Sequence, residues 1–215
     1  MSRIAQAMSR RRTVAGAPGA RLVIVSGPSG VGKDTVIAAL RRRPRGGDYH
    51  YVVTCTTRPP RSYETDGVHY RFLSPEAFAT LRHAGELLEA NEVHGNWYGT
   101  PKTEVREALG SGRDVILKID VQGAAEVKAA VPEALLIFLV PPSLEDLFGR
   151  LKSRATESAD ELDVRQRNAA LELSRLSDYD HVLVNETGEV DRVAARIESI
   201  IAAERAAQPR LRTRV

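Results

Sequence analysis

Leu22-Val23-Ile24-Val25-Ser26-Gly27-Pro28-Ser29-Gly30-Val31-Gly32-Lys33-Asp34-Thr35-Val36-Ile37-Ala38-Ala39-Leu40 is the stretch that decides the fold. A short β-branched apolar run reads as a strand, the glycines as a tight turn, and Val36 to Leu40 as a helix. A phosphate-cradling loop needs this order. Glycines let successive backbone N–H groups converge on phosphate oxygens, the helix N-terminus adds partial positive charge, and Lys33 supplies a point charge for the terminal phosphates. An ordinary strand-to-helix turn needs one glycine and no lysine. Gly27, Pro28, Ser29, Gly30, Val31, Gly32 and Lys33 are therefore candidate phosphate ligands. The Walker pattern has Ser or Thr after the lysine to reach a metal; this chain has Asp34, with Thr35 next. The sequence leaves both open as metal ligands.

The chain has 215 residues, 42% hydrophobic and 27% charged, with a net charge of +3. That describes one ordinary globular domain with a full core. No apolar run approaches the ~20 residues of a membrane span. One cysteine, Cys55, excludes an internal disulfide and fits a reducing, cytoplasmic setting. No acidic residue precedes Asp34, whereas Arg3, Arg10, Arg11, Arg12 and Arg21 all do. Residues 1–20 lack apolar periodicity and are expected to be a disordered extension, or to precede a start at Met8. A transit peptide or a nucleic-acid arm is the alternative reading of that leader.

Working outward, four more apolar runs predict strands buried on both faces: Tyr51-Val52-Val53, Val115-Ile116-Leu117, Leu135 to Val140, and Val182-Leu183-Val184. Helical patterns separate them at Gln122–Val131, Leu144–Arg154, Asp163–Leu176 and Val190–Arg205. Strands alternating with helices after a phosphate loop predict an α/β nucleotide-binding core with a parallel five-stranded sheet. Residues 54–100 are polar and turn-rich, with short alternating pieces at Val68–Phe72 and Glu86–Glu89, and predict a small mixed substrate-binding insertion. Residues 150–167 mix Arg150, Arg154, Arg165 and Arg167 with acidic residues and have few apolar anchors, the character of a mobile lid.

In Thr54-Cys55-Thr56-Thr57-Arg58-Pro59-Pro60-Arg61, Arg58 and Arg61 lie on an extended, proline-stiffened stretch. Their planar forks can hold a monophosphate bidentately. Tyr70, Glu89, Tyr98 and Thr100 add hydroxyls and a carboxylate downstream. A buried Glu accepts from both an N1–H and an exocyclic amine, which guanine presents together and adenine does not.

Several stretches coincide with one family. Gly27 to Lys33, Thr-Thr-Arg-Pro-Pro-Arg at 56–61, Asp66-Gly67-Val68-His69-Tyr70 and Gly95-Asn96-Trp97-Tyr98-Gly99-Thr100-Pro101 resemble guanylate kinases. So do Ile119-Asp120-Val121-Gln122-Gly123 and Pro141-Pro142-Ser143-Leu144-Glu145-Asp146-Leu147. The similarity runs from about Arg21 to Ala206. It implies ATP + GMP giving ADP + GDP with Mg2+, in a P-loop three-layer α/β/α core with a GMP-binding insertion and a helical lid. The core would comprise residues 21–53, 101–145 and 174–206, the insertion 54–100, the lid 146–173, and the tail 207–215. By position, Thr54, Arg58, Arg61 and Tyr70 would line the GMP phosphate. Glu89, Thr100 and Asp120 would face the guanine, with Tyr98 completing the pocket. Lys33, Arg58 and the lid arginines Arg150, Arg154 and Arg165 would act on the transferring group, and Asn185 would lie beside the ATP base. Partners would be ATP and GMP, without nucleic acid or membrane, in a monomer or homodimer.

Two positions depart from that family: Asp34 where Ser is usual, and Lys118 where an acidic residue is common. Kinases of ribose 1,5-bisphosphate resemble this loop with Asp after the lysine and supply the alternative function. The guanine-facing set argues against them. A catalytically inactive guanylate-kinase-like binding module is the third reading, opposed by the retained Lys33 and arginines.

Overall fold

The computed structural model describes residues 17, 19–93, 95–153 and 168–215. In chain order the elements are β1 (Leu22–Ser26), α1 (Lys33–Arg42), β2 (His50–Tyr51), β3 (Cys55–Thr56), β4 (Arg71–Phe72), α2 (Pro75–His83), β5 (Leu87–Val93) and β6 (Asn96–Pro101). There follow α3 (Lys102–Gly110), β7 (Val115–Lys118), α4 (Val121–Ala130), β8 (Leu135–Val140), α5 (Leu144–Ser153), β9 (His181–Val184) and α6 (Val190–Ala207).

The main sheet has the order β2-β7-β1-β8-β9, and every pairing is parallel. β1 lies at its centre, so the phosphate loop leaves the middle of the sheet, where α/β folds open a crevice at their strand ends. All five residues of β1 are buried. Val23 and Val25 join the core with Val36 and Leu40 of α1 and Ile197 and Ile201 of α6. Leu22 and Ile24 face the other way, among Val105 and Leu109 of α3 and Ala124 and Val127 of α4. The sheet is thus covered on both faces, and the three-layer expectation holds. Among the described residues no helix is long and apolar enough to cross a membrane.

The edges differ from expectation. Val182 and Val184 of β9 are 46% and 48% exposed, although their run predicted burial on both faces. β9 closes the sheet, so Leu183 packs on the core shared by α1 and α6 while the opposite face stays open. β2 occupies His50–Tyr51 and not Tyr51–Val53; beyond it, Val52 donates its N–H to Ile116 O at 3.1 Å and packs against the core of α3 and α4. Residues 168–173 are helical, and the rest of the Asp163–Leu176 pattern up to 167 lies outside the described residues.

The insertion carries a second sheet, β4-β3-β6-β5, with β3–β4 parallel and the other pairs antiparallel. Its own small core is Cys55, Phe78 and Leu87, with Trp97 packed alongside. Phe78 comes from α2, a helix that the polar character of this region concealed. Ser74 caps it by accepting from Ala77 N at 3.2 Å, and Pro75 occupies the first turn.

Within residues 208–215, Thr213 and Val215 are buried against the core. Thr213 is fully buried and donates to Ala20 O at 3.0 Å, while Arg106 Nε donates to Val215 O at 3.0 Å. Buried Arg21 reaches the C-terminal end of α6 through Glu204 O and Gln208 O, where a cation is favoured. Of the expected leader, residues 1–16 and 18 lie outside the described residues.

Candidate active site

The loop is held in shape from below. Gly27 has φ +142°, and a Cβ there would meet Leu139 O at 2.3 Å, because β1 and β8 converge under the turn. Only glycine fits. Val31 is fully buried, and Asn185, at the end of β9, donates from Nδ2 to Val31 O at 2.7 Å. Asn185 therefore braces the loop. Lys33 folds back over it and donates to Gly27 O at 2.5 Å and Pro28 O at 3.1 Å. Burial lowers the pKa of this ammonium, and the carboxylate of Glu172 partly offsets the effect. Glu172 itself accepts from Ser29 N at 3.3 Å, so a carboxylate faces one of the loop's amides. Burial pushes Glu172 upward, against the pull of Lys33.

Asp34 and Thr35 stand in the exposed first turn of α1. The Asp34 carboxylate is ion-paired with Lys118 Nζ at the end of β7. A carboxylate and a hydroxyl beside phosphates suit Mg2+, which takes most of its ligands from phosphate oxygens and water and few from protein. The pair with Lys118 competes for the same carboxylate.

Across the crevice, Arg58 donates to Glu64 Oε1 at 2.8 Å and to Pro59 O at 2.7 Å. The second Glu64 oxygen accepts from Arg61 N at 2.7 Å. The Glu64 side chain is only 5% exposed, so it is a built counter-ion and not solvated surface charge. Its hydrogen bond, together with Tyr98, holds the guanidinium firmly protonated against desolvation. Arg58 lies 5.6 Å from the centroid of the Tyr70 ring, and Tyr70 meets Tyr98 edge-on at 6.0 Å. Arg61 is exposed and donates to the Tyr63 hydroxyl at 3.1 Å. Thr54, 8% exposed, enters β3 beside them.

Behind this cluster lies Glu89, 5% exposed on β5. Thr100 Oγ1 donates to its Oε1 at 2.6 Å and Asn91 Nδ2 to its Oε2 at 3.2 Å. Burial nevertheless raises its pKa to about 7, opposed by those two donors. Gly123 on α4 makes room for it, since a Cβ there would lie 3.1 Å from Oε2. Asp120 caps α4 by accepting from Gly123 N at 2.7 Å, which sets its carboxyl beside Glu89.

The structure brings Arg58, Tyr70 and Tyr98 together and, separately, Glu89, Thr100 and Asp120. Lys118, against both Tyr70 and Asp34, and Asp120, whose charge reaches both Glu89 and Lys33, tie the two groups to the loop. Thr54 and Arg61 lie on the segment around Arg58. Tyr98 thus stands with the arginine group. Arg150 lies in α5, but its side chain, like Arg154 and Arg165, is outside the described residues. Sequence reading missed Glu64, Asn91, Gly123 and Glu172. An acidic residue close after Arg61 was a signal for Glu64; nothing in the sequence ties Glu172 to Ser29.

The guanylate kinase family model matches residues 19–204. The chain is 44% identical to a guanylate kinase of Halalkalibacterium halodurans, covering 88% of this chain and 91% of that protein. It is 49% identical to one from a Mycobacterium species, covering 77% and 83%. The crystal structure of guanylate kinase from Anaplasma phagocytophilum superposes with a TM-score of 0.73 at 30% identity, covering 93% of this chain and 92% of that one. With its motifs, fold and crevice in agreement, the chain belongs to the guanylate kinase family.

Proposed function

We propose that the protein transfers the γ-phosphoryl group of ATP to GMP, giving ADP and GDP. The observation that carries this reading is Glu89: a carboxylate buried at real cost, fixed by Thr100 and Asn91, beside Asp120, whose charge also reaches Lys33 of the phosphate loop. Such a group is stabilised by a ligand edge with two adjacent N–H donors, and guanine has one.

The loop amides from Gly27 to Gly32 and Lys33 grip the β- and γ-phosphates of ATP, with Asn185 keeping the loop rigid. Thr54, Arg58, Arg61 and Tyr70 hold the GMP phosphate, and Tyr98 spans from that end toward the base. Glu89, Thr100 and Asp120 read the guanine. The acceptor phosphate is almost fully ionised at pH 7 and needs no base to remove a proton. An acceptor oxygen bonds to the γ-phosphorus as the bond to the β,γ-bridging oxygen breaks, and ADP leaves with that electron pair. Charge and alignment therefore set the rate. Arg150, Arg154 and Arg165 are assigned to closure over the transferring group, which excludes water and so prevents ATP hydrolysis.

The family generally works with Mg–ATP. Asp34 and Thr35 are the residues that would hold the ion, which neutralises charge on the β- and γ-oxygens when bound. A cytoplasmic setting belongs to the same proposal, in keeping with the lone, buried Cys55.

Asp34 is the one feature that favours a ribose 1,5-bisphosphate kinase instead. ADP release measured with GMP and with ribose 1,5-bisphosphate as acceptors decides between them. The proposal expects turnover with GMP alone. Turnover confined to the sugar bisphosphate would overturn it, and no turnover with either would point to an inactive binding module.

A further inference from the structure

Two cations, each held by a carboxylate, lie close to the Tyr70 ring. Arg58, paired with Glu64, lies 5.6 Å from the ring centroid, and Lys118, paired with Asp34, lies 5.5 Å from it. Lys118 thereby touches both halves of the crevice: Asp34 opens α1 behind the phosphate loop, and Tyr70 belongs to the insertion. Its side chain is 26% exposed, against 79% for Asp34, so the ammonium sits in the crevice while its partner reaches in from solvent.

We propose that Lys118 is a further phosphate ligand of the acceptor site, exchanging Asp34 for the GMP phosphate when GMP binds. This rests on the assignment of Arg58 and Tyr70 to that phosphate. A dianion placed against Tyr70 comes near two cations whose counter-ions can release them, one by solvation of the exposed Asp34 carboxylate. Asp34 occupies the ammonium until then, so GMP has to displace it. The exchange also frees the Asp34 carboxylate beside the donor phosphates only once the acceptor is in place, which couples the two sites.

Calorimetric titration of GMP and of guanosine, without divalent metal, tests this. Wild-type protein should bind both. Lys118→Met should weaken GMP about tenfold or more, leave guanosine unchanged, and flatten the dependence of GMP affinity on ionic strength. Lys118→Arg should keep GMP within about threefold of wild type, since the charge is retained. Asp34→Asn, at an exposed position that does not threaten folding, should tighten GMP about two- to threefold with no change for guanosine. GMP affinity unaltered in Lys118→Met, equal losses for GMP and guanosine, or weaker GMP binding in Asp34→Asn would each overturn the proposal. No heat from GMP with wild-type protein would instead remove the acceptor assignment beneath it.

Discussion

Gly27 to Gly32 offers backbone N–H groups, fixed by the buried Val31 and by Asn185, which is 154 residues away in the chain. The insertion offers side chains, each held by another side chain: Arg58 by Glu64, Glu89 by Thr100 and Asn91, Lys118 by Asp34. The first kind of site rests on the central strands of a five-stranded sheet and two large cores. The second rests on short strands and a core of Cys55, Phe78 and Leu87. A backbone site binds any phosphate chain and is only finely tuned by single side chains, whereas a side-chain site discriminates and can be retuned by one substitution. Donor binding should therefore fail through backbone damage, and acceptor choice through single carboxylates.

The largest effect belongs to Gly27→Ala. Left-handed backbone and a 2.3 Å clash with Leu139 O leave no relaxed arrangement, so a loss of about 3 kcal/mol or more is expected in urea unfolding, with ATP binding lost as well. A variant that melts like wild type would contradict the account of the loop. Lys33→Met should fold normally, because burial already disfavours the ammonium, yet lose about 10²–10³ in kcat. A loss confined to KM would mean that Lys33 only binds.

Glu89→Gln sharpens the contrast on the acceptor side. Removing a charge-assisted acceptor should cost GMP about 1.5–3 kcal/mol of affinity and leave ATP unchanged. Equal losses would make Glu89 structural. The same group gives a pH signature. Its folded pKa of about 7 lies above the ordinary 4.5, so the folded state binds the extra proton between those values. Its favourable contribution is complete below about pH 4.5 and is lost as pH rises through 7. Glu89→Gln should accordingly melt higher than wild type above pH 7, and the difference should vanish in acid. In wild type, GMP affinity should fall as pH drops from 8 to 6, because the neutral acid accepts less well.

Legibility in the sequence follows the same division. The phosphate loop and central strands were readable because glycine spacing and continuous apolar runs are local signals. On the acceptor side, Arg58 and Arg61 on a proline-stiffened stretch suggested a monophosphate grip, and family resemblance tied that stretch and Gly95–Pro101 to one acceptor. β9 misled because Val182 and Val184 are apolar at an open sheet edge. The helix α2 was hidden because only Phe78 of its nine residues is buried. Glu64 and Glu172 escaped for a common reason: a carboxylate that neutralises a binding cation looks like solvated charge until the fold supplies its partner. Lys118 stood out as a departure, but its link to Asp34 spans 84 residues.

Glu172 gives the smallest expected effect and the finest probe of the donor side. Its carboxylate already accepts from Ser29 N, where the proposed mode of ATP binding places a phosphate oxygen, so Glu172→Gln should tighten ATP about two- to threefold without altering GMP. Weaker ATP binding would make it a brace of the loop and not a competitor.

Calorimetric titration of the intact protein with GMP, and in parallel with AMP, reaches the central claim most directly. The account predicts heat and saturation with GMP and at least tenfold weaker binding of AMP, which presents no paired N–H edge to Glu89. Equal affinity for the two nucleotides, or no heat from GMP, would contradict it.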